Sequence, residues 1–211
     1  MFLKKTVRKF FIKDGSHDLF WFLFGLIFLF TFALLSMPQW IFCLGIGVLT
    51  SAIFRYITTD SLFYDDFKNL YNRKDRLNYI LSKNIFTILF VGFIILIVLL
   101  VIDIISKIFL PTKINLEFKL LITLILYILG AENIILIFNN RMIPSYKSGY
   151  KRNIKEDIKV GIENIKSMMP SLFVNIIIII FIFMFKIDLT IFARIVYLLA
   201  SIFIFAIYKT C

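Results

Sequence analysis

The chain has 211 residues, of which 61% are hydrophobic and 26 are Phe, and its formal net charge is +11. A single domain of this size cannot bury so much apolar surface, which excludes a soluble globular protein. The basic residues lie directly beside apolar stretches, a distribution typical of contact with anionic lipid headgroups rather than with nucleic acid. Cys43 and Cys211 lack the spacing of a metal site or a disulfide framework.

Six apolar stretches predict an all-α, polytopic membrane protein that forms one transmembrane domain. Each stretch has close to the roughly 20 residues that an α-helix needs to cross the hydrocarbon core. In chain order, the predicted spans are 19–37, 39–57, 84–110, 118–138, 170–186 and 190–208.

Lys and Arg are shared very unevenly between the segments that join these spans. The N-terminal tail, 55–83, 139–169 and the C-terminal tail hold 19 of the 24 basic residues, and the opposite side holds five. The positive-inside rule therefore predicts a multi-pass protein of the cell membrane with both termini and both long loops in the cytoplasm.

Three amphipathic segments lie outside the spans. Residues 1–13 have apolar side chains on one side and Lys and Arg on the rest, which predicts a helix in the headgroup region. In the 58–83 loop, a short helix begins after Thr58, Thr59 and Asp60. Its apolar face consists of Leu62, Phe63, Phe67, Leu70 and Tyr71. This face suits the hydrophobic groove of a partner or, equally, the lipid surface.

The third amphipathic segment lies in the 139–169 loop. Its apolar residues recur at helical spacing, as Ile154, Ile158, Ile162 and Ile165. Gly161 lowers the stability of this helix, and contact with the membrane or with a partner would have to offset that loss. Pro170 is expected to end the helix and to begin the fifth span.

Two spans contain residues that are unusual in an apolar helix. In the second span, Gly45, Gly47 and the small residues 50–52 predict close helix packing. In the fourth span, Glu132 follows Gly130 and Ala131. A carboxylate at that depth costs about 2.5–3.5 kcal/mol, so it should face protein or water. Glu132 therefore either lines a transport path or gate, or makes a packing contact, protonated or bonded to a neighbouring helix.

The chain lacks the residues of known catalytic and nucleotide-binding sites. It has one His, no G-x-x-x-x-G-K-[ST] motif and a single Glu within the spans. These absences predict a protein that is not an enzyme and that holds no cofactor of its own. Energy for any transport would come from a partner or from an ion gradient.

The six-span order, with a principal cytoplasmic loop between the second and third spans, resembles the permease subunits of small type-2 ABC exporters. The loop stretches that carry the resemblance are Asp65-Asp66-Phe67-Lys68-Asn69-Leu70, Tyr71-Asn72-Arg73-Lys74 and Ile80-Leu81-Ser82-Lys83-Asn84. Residues 144–151 are similar to the stretch that such permeases carry before the fifth helix, although about twenty further residues follow here. The chain lacks the usual loop proline, and Asn84 replaces an aromatic residue.

The resemblance implies a dimer with a second, identical or different permease subunit and with ATPase subunits that bind ATP and Mg²⁺. The residues that it implies for ATPase coupling are Phe67, Lys68, Leu70, Tyr71 and Arg73. The expected cargo is an amphipathic peptide, such as a phenol-soluble modulin or bacteriocin, or a lipid-like molecule. Two alternatives stay open: a substrate-capturing subunit of a vitamin importer, and a non-transporting immunity or regulatory protein of the membrane.

Overall fold

A computed structural model of the chain describes residues 18–35, 38–59, 70–109, 118–138, 154–185 and 190–208, together with Lys4. These residues are almost entirely helical, as predicted, and none of them forms a strand. They contain six helices, which are α1 (Asp18–Leu34), α2 (Gln39–Thr59), α3 (Arg73–Phe109), α4 (Phe118–Phe138), α5 (Ile154–Met184) and α6 (Ile191–Tyr208).

Three of these helices are long and apolar enough to cross a membrane. The segments concerned are Arg73–Ile105 of α3 and the whole of α4 and α6. The other three helices hold shorter apolar segments, at Leu23–Phe32, Gln39–Phe54 and Met169–Met184. Large apolar side chains also cover the outside of the bundle; on α3 they are Leu89, Phe93, Leu96 and Leu100. An apolar outer surface on helices of this length is typical of a membrane protein.

Helix α3 begins well before the predicted third span, at Arg73 instead of residue 84. Asn72 precedes the helix, and its backbone carbonyl accepts the first helical hydrogen bond from the Arg76 N–H at 3.0 Å. The stretch 73–83 is polar, but it contains neither Pro nor Gly, so nothing stops the helix there. With 37 residues, α3 is longer than a bilayer core requires, and its first turns extend beyond the apolar part.

Helix α5 runs without a break through Pro170, so the predicted helix end at that residue is wrong. A proline inside a helix leaves the carbonyl four residues earlier without its usual donor. Here that residue is Lys166, and both Lys166 and Pro170 are exposed. Pro170 thus lies away from the packed interior of the bundle, where the missing bond does not end the helix.

Helix α2 occupies the middle of the bundle and packs against α1, α3, α4 and α5, while α4 also packs against α6. The predicted close approach at the small residues of α2 is confirmed. A Cβ atom at Gly45 would lie 3.1 Å from the carbonyl oxygen of Gly25 on α1, and one at Gly47 would lie 3.1 Å from Ile179 Cδ1 on α5. At Gly45 a larger side chain would meet the backbone of α1, whereas at Gly47 the Ile179 side chain would have to shift.

Candidate functional site

Three of the five residues expected to couple to an ATPase, Leu70, Tyr71 and Arg73, lie at or just before the start of α3. Phe67 and Lys68 lie outside the described residues, as does most of the short helix predicted for this loop. Leu70 and Tyr71 are described and are not helical. Leu70 is buried at 2% exposure, whereas Tyr71 is 74% exposed. The guanidinium of Arg73 lies 4.6 Å from the ring centroid of Phe203 on α6.

Arg76, which the sequence did not single out, joins this segment to the end of α6. Its Nε donates a hydrogen bond to the carbonyl of Ala206 at 2.7 Å. Its Nη1 donates to the carbonyls of Tyr71 at 2.7 Å and of Leu70 at 3.3 Å. Ala206 lies in the last turn of α6, which is described as far as Tyr208, and carbonyls in the last turn of a helix need donors from outside it. The planar guanidinium thus holds three carbonyls from two parts of the chain. Residues 70–76 are called the coupling segment below.

A second group of side chains lies inside the bundle, around Glu132, which has no exposed surface. Glu132 Oε1 accepts hydrogen bonds from the Ser171 hydroxyl and from Asn175 Nδ2, the latter at 2.9 Å. Asn175 Nδ2 also donates to the hydroxyl of Ser51 on α2. These four residues, called the polar cluster below, join α2, α4 and α5. This is the geometry that the packing interpretation of Glu132 requires.

The neighbour of Glu132 on α4 connects this helix to α6. Asn133 Nδ2 donates a hydrogen bond to the hydroxyl of Ser201 at 3.0 Å, and both residues are buried. The Ser201 hydroxyl in turn donates to the carbonyl of Leu198, one turn earlier on α6, at 2.7 Å. Glu132 and Asn133 together therefore link α4 by side-chain hydrogen bonds to two helices, α5 and α6.

Aromatic side chains also pack between α4 and α6, near the polar cluster. Gly130 lies directly against the ring of Tyr197. That ring lies 5.2 Å from the ring of Tyr127, centroid to centroid. The guanidinium carbon of the buried Arg194 lies 4.1 Å from the Tyr127 ring centroid, in cation–π geometry. Arg194, counted from the sequence among the basic residues of the non-cytoplasmic side, thus lies within the bundle.

Helix α3 adds buried polar residues from the stretch Ser82-Lys83-Asn84 that carries part of the family resemblance. Lys83 is 2% exposed, and its Nζ lies 4.9 Å from the ring centroid of Tyr79. Thr87, one turn later, donates to the Lys83 carbonyl at 2.9 Å. Asn84 is also buried, and its amide has no hydrogen-bond partner among the described residues.

Sequence reasoning identified Glu132 but not its partners. A charged residue in an apolar span is visible in the sequence, whereas Ser and Asn occur in many spans without forming a site. The described residues contain no group of three or more His, Cys, Asp or Glu side chains that could hold a metal ion. Comparisons with protein-family models, curated proteins and solved structures find no match.

Proposed function

We propose that the chain is the transmembrane subunit of an ATP-driven exporter, with six spans and with both termini and both long loops in the cytoplasm. It pairs with a second permease subunit, and separate ATPase subunits hydrolyse ATP. The cargo is an amphipathic peptide or a lipid-like molecule. The observation that supports this proposal best is the attachment of the coupling segment to α6 through Arg76.

The coupling segment has an exposed side chain that a partner could contact, and it is hydrogen-bonded to another helix of the bundle. Tyr71 is exposed and aromatic, and residues of this type often dominate the binding energy of protein interfaces. Its backbone carbonyl is bonded to Arg76, which also holds Ala206 of α6. A partner that moves Tyr71 would therefore move the start of α3 and the end of α6 together.

Side-chain hydrogen bonds inside the bundle would transmit such a movement from α6 to α4 and α5. α6 is bonded to α4 through Ser201 and Asn133, and α4 is bonded to α5 through Glu132. A net contribution of about 0.5–1.5 kcal/mol per hydrogen bond is small enough for the bonds to exchange during a transport cycle. Transport would follow from helices that rearrange between two states, with ATP binding in the partner favouring one of them.

The test is to purify the chain from its native membranes in mild detergent and to measure Mg²⁺-dependent ATP hydrolysis. Because the sequence has no G-x-x-x-x-G-K-[ST] motif, any hydrolysis would come from a bound partner. Tyr71→Ala and Phe67→Ala each remove an aromatic contact. Truncation of an interface residue of this kind often costs at least about 2 kcal/mol, so tenfold or greater loss of partner is expected.

Phe138→Ala is the matched control, since Phe138 is an aromatic residue at the end of α4 that is 84% exposed but lies outside the 58–83 stretch that contains both Phe67 and Tyr71. This variant should retain the partner and its ATP hydrolysis. The proposal fails if the wild-type preparation hydrolyses no ATP. It also fails if the Tyr71 and Phe67 variants recover as much partner as the Phe138 variant does.

Variants of Arg76 distinguish binding of the ATPase from coupling of ATP hydrolysis to transport. Arg76→Ala removes the bonds to Ala206, Tyr71 and Leu70 but leaves the Tyr71 side chain in the sequence. We expect this variant to bind the ATPase and to lose cargo transport. Arg76→Lys restores a positive charge but not the fork of donors that reaches several carbonyls, so it should rescue transport poorly. Full transport by Arg76→Ala would show that this connection is not used.

A further inference from the structure

Helix α5 has two halves that differ in burial, and the change occurs at Pro170. After Pro170, buried positions recur at helical spacing, as Ser171, Asn175, Ile179 and Ile182. Between Ile154 and Pro170, none of the side chains that the structure describes is buried. At about 1.5 Å per residue, this first half extends about 24 Å. Residues 154–169, whose described side chains thus all lie at the surface, are called the α5 arm below.

The α5 arm carries an exposed row of apolar side chains, Ile158, Ile162, Ile165 and Met169, which are 57%, 47%, 48% and 55% exposed. Beyond Pro170 the same side of the helix continues with Phe173 and Ile180, which are also exposed. At about 100° per residue, all six positions fall within an arc of about 80°. With Met169–Met184 placed across the membrane, this side of the helix would face acyl chains, and the row on the arm would continue that surface.

The lysines of the α5 arm lie along one side of this row. Lys155, Lys159 and Lys166 lie about 60–100° from Ile158 around the helix, in the same direction. The acidic positions Glu163 and Glu156 lie farther away, at about 140–160°, and position 157, an Asp, lies about 100° away in the opposite direction. All three lysines are exposed. Lysines at the border of an apolar face can lay their alkyl chains along it and direct their ammonium groups to phosphates. The arm itself has three Lys and three Asp or Glu; the excess of basic residues, which favours an anionic surface, lies directly before it, where 139–153 holds four Lys or Arg and no Asp or Glu.

We propose that the α5 arm binds anionic lipid headgroups: it bends at Pro170 and lays its apolar row on the cytoplasmic leaflet. Proline has no N–H to donate and is a common point of helix bending, so the bend disrupts little. The lysines then lie at the level of the lipid phosphates. This proposal rests on the placement of α5 across the membrane, and it does not depend on an ATPase partner or on the cargo.

The test uses the full-length chain, with Cys43→Ala and Cys211→Ser, in nanodiscs of phosphatidylcholine alone or mixed with phosphatidylglycerol. A fluorophore is attached at Ile158→Cys or, as the control on another side of the same arm, at Glu163→Cys. Quenching by nitroxide-labelled lipid and by aqueous iodide is compared. We expect lipid quenching at position 158 to exceed that at position 163 several-fold, and only in the anionic discs.

Replacement of Lys155, Lys159 and Lys166 by Gln should remove most of this difference. Each lysine near an anionic surface changes the binding constant by about fivefold. The binding constant of the arm for the anionic surface should therefore fall tenfold or more in the triple variant. Equal iodide quenching at positions 158 and 163 in both discs would overturn the proposal. Protection of position 158 from both quenchers would also overturn it, because protein would then cover the row.

Discussion

Replacing Gly130 by Ala tests how closely α4 and α6 are packed beside the polar cluster. A Cβ atom at this position would lie 2.7 Å from Tyr197 Cδ1 and 3.1 Å from Cζ, and it would meet Cε1 still more closely. The Tyr197 ring packs against Tyr127, which in turn lies under the Arg194 guanidinium, so a shift of the ring disturbs these contacts. The new methyl group can fit only if the Tyr197 ring leaves its position or α4 and α6 separate.

The expected effect follows from two opposing contributions. Ala in place of Gly inside a helix gains about 0.5–1 kcal/mol, since the unfolded chain loses freedom. Forcing an extra carbon into a packed contact costs about 1–3 kcal/mol. The net loss of stability should be about 1–2 kcal/mol. For a chain of this size each kcal/mol corresponds to about 2–4 °C, so the apparent melting temperature should fall by about 2–8 °C.

The assay is thermal unfolding of the detergent-solubilised protein, followed by intrinsic fluorescence. Gly92→Ala is the matched control, because a Cβ atom at Gly92 would meet nothing within 4 Å. It should melt at the wild-type temperature or slightly above. Gly130→Ala combined with Tyr197→Leu should recover part of the loss. A Gly130→Ala variant that melts with the Gly92→Ala control would refute the close packing of α4 and α6.

Two further predictions concern topology and the polar cluster. An impermeant maleimide should label cysteines placed at Gln39 and Asn115 in intact cells, but not those at Lys74 and Lys155; labelling at position 155 from outside would contradict the six-span topology. Glu132→Gln keeps an acceptor for its two donors on α5 and should change melting little. Glu132→Leu removes the acceptor of Ser171 and one of the two acceptors of Asn175, at about 1–3 kcal/mol per lost bond, and should melt clearly lower. Equal melting of these two variants would contradict the hydrogen bonding, and a loss of transport in the Gln variant alone would show that Glu132 acts in the cargo path.

The sequence predicted the helical architecture well because an apolar stretch of about 20 residues rarely forms any structure other than a helix. All six helices occur where an apolar stretch does, and the prediction that small residues of α2 allow close packing was confirmed at Gly45 and Gly47. Glycine next to polar residues in a span is informative because lipid contact gives no reason to use it. The partners Gly25 and Ile179 required the structure, since a span alone does not show which helix approaches it.

The helix ends were harder to predict, for a physical reason. Hydropathy reports where a segment partitions into lipid, whereas a helix ends where its backbone bonds stop. The polar stretch 73–83 is therefore part of α3, although the sequence placed it in a loop. The same difference applies at Pro170, where a missing donor at an exposed position does not end α5. Caps and prolines must be weighed with their exposure before either is used as a boundary.

Arg76 shows a second limit of sequence reasoning. The resemblance directed attention to Phe67 and Tyr71, because aromatic residues are expected at a partner surface. Arg76 instead acts through backbone carbonyls of Leu70, Tyr71 and Ala206. Carbonyls are present at every residue, so no sequence pattern marks the ones that a guanidinium will reach. Such a residue becomes visible only when two distant parts of the chain are placed together.

Neighbouring polar residues within a span nevertheless hold information that hydropathy discards. Glu132 and Asn133 are about 100° apart around α4, so they cannot face the same neighbouring helix. Neither can face lipid cheaply, and the structure bonds one to α5 and the other to α6. Lys83 and Asn84 are both buried on α3, which packs against α2 and α6. Two adjacent polar residues inside an apolar helix therefore predict a helix held between two protein neighbours, an inference that an average over all faces of the helix cannot provide.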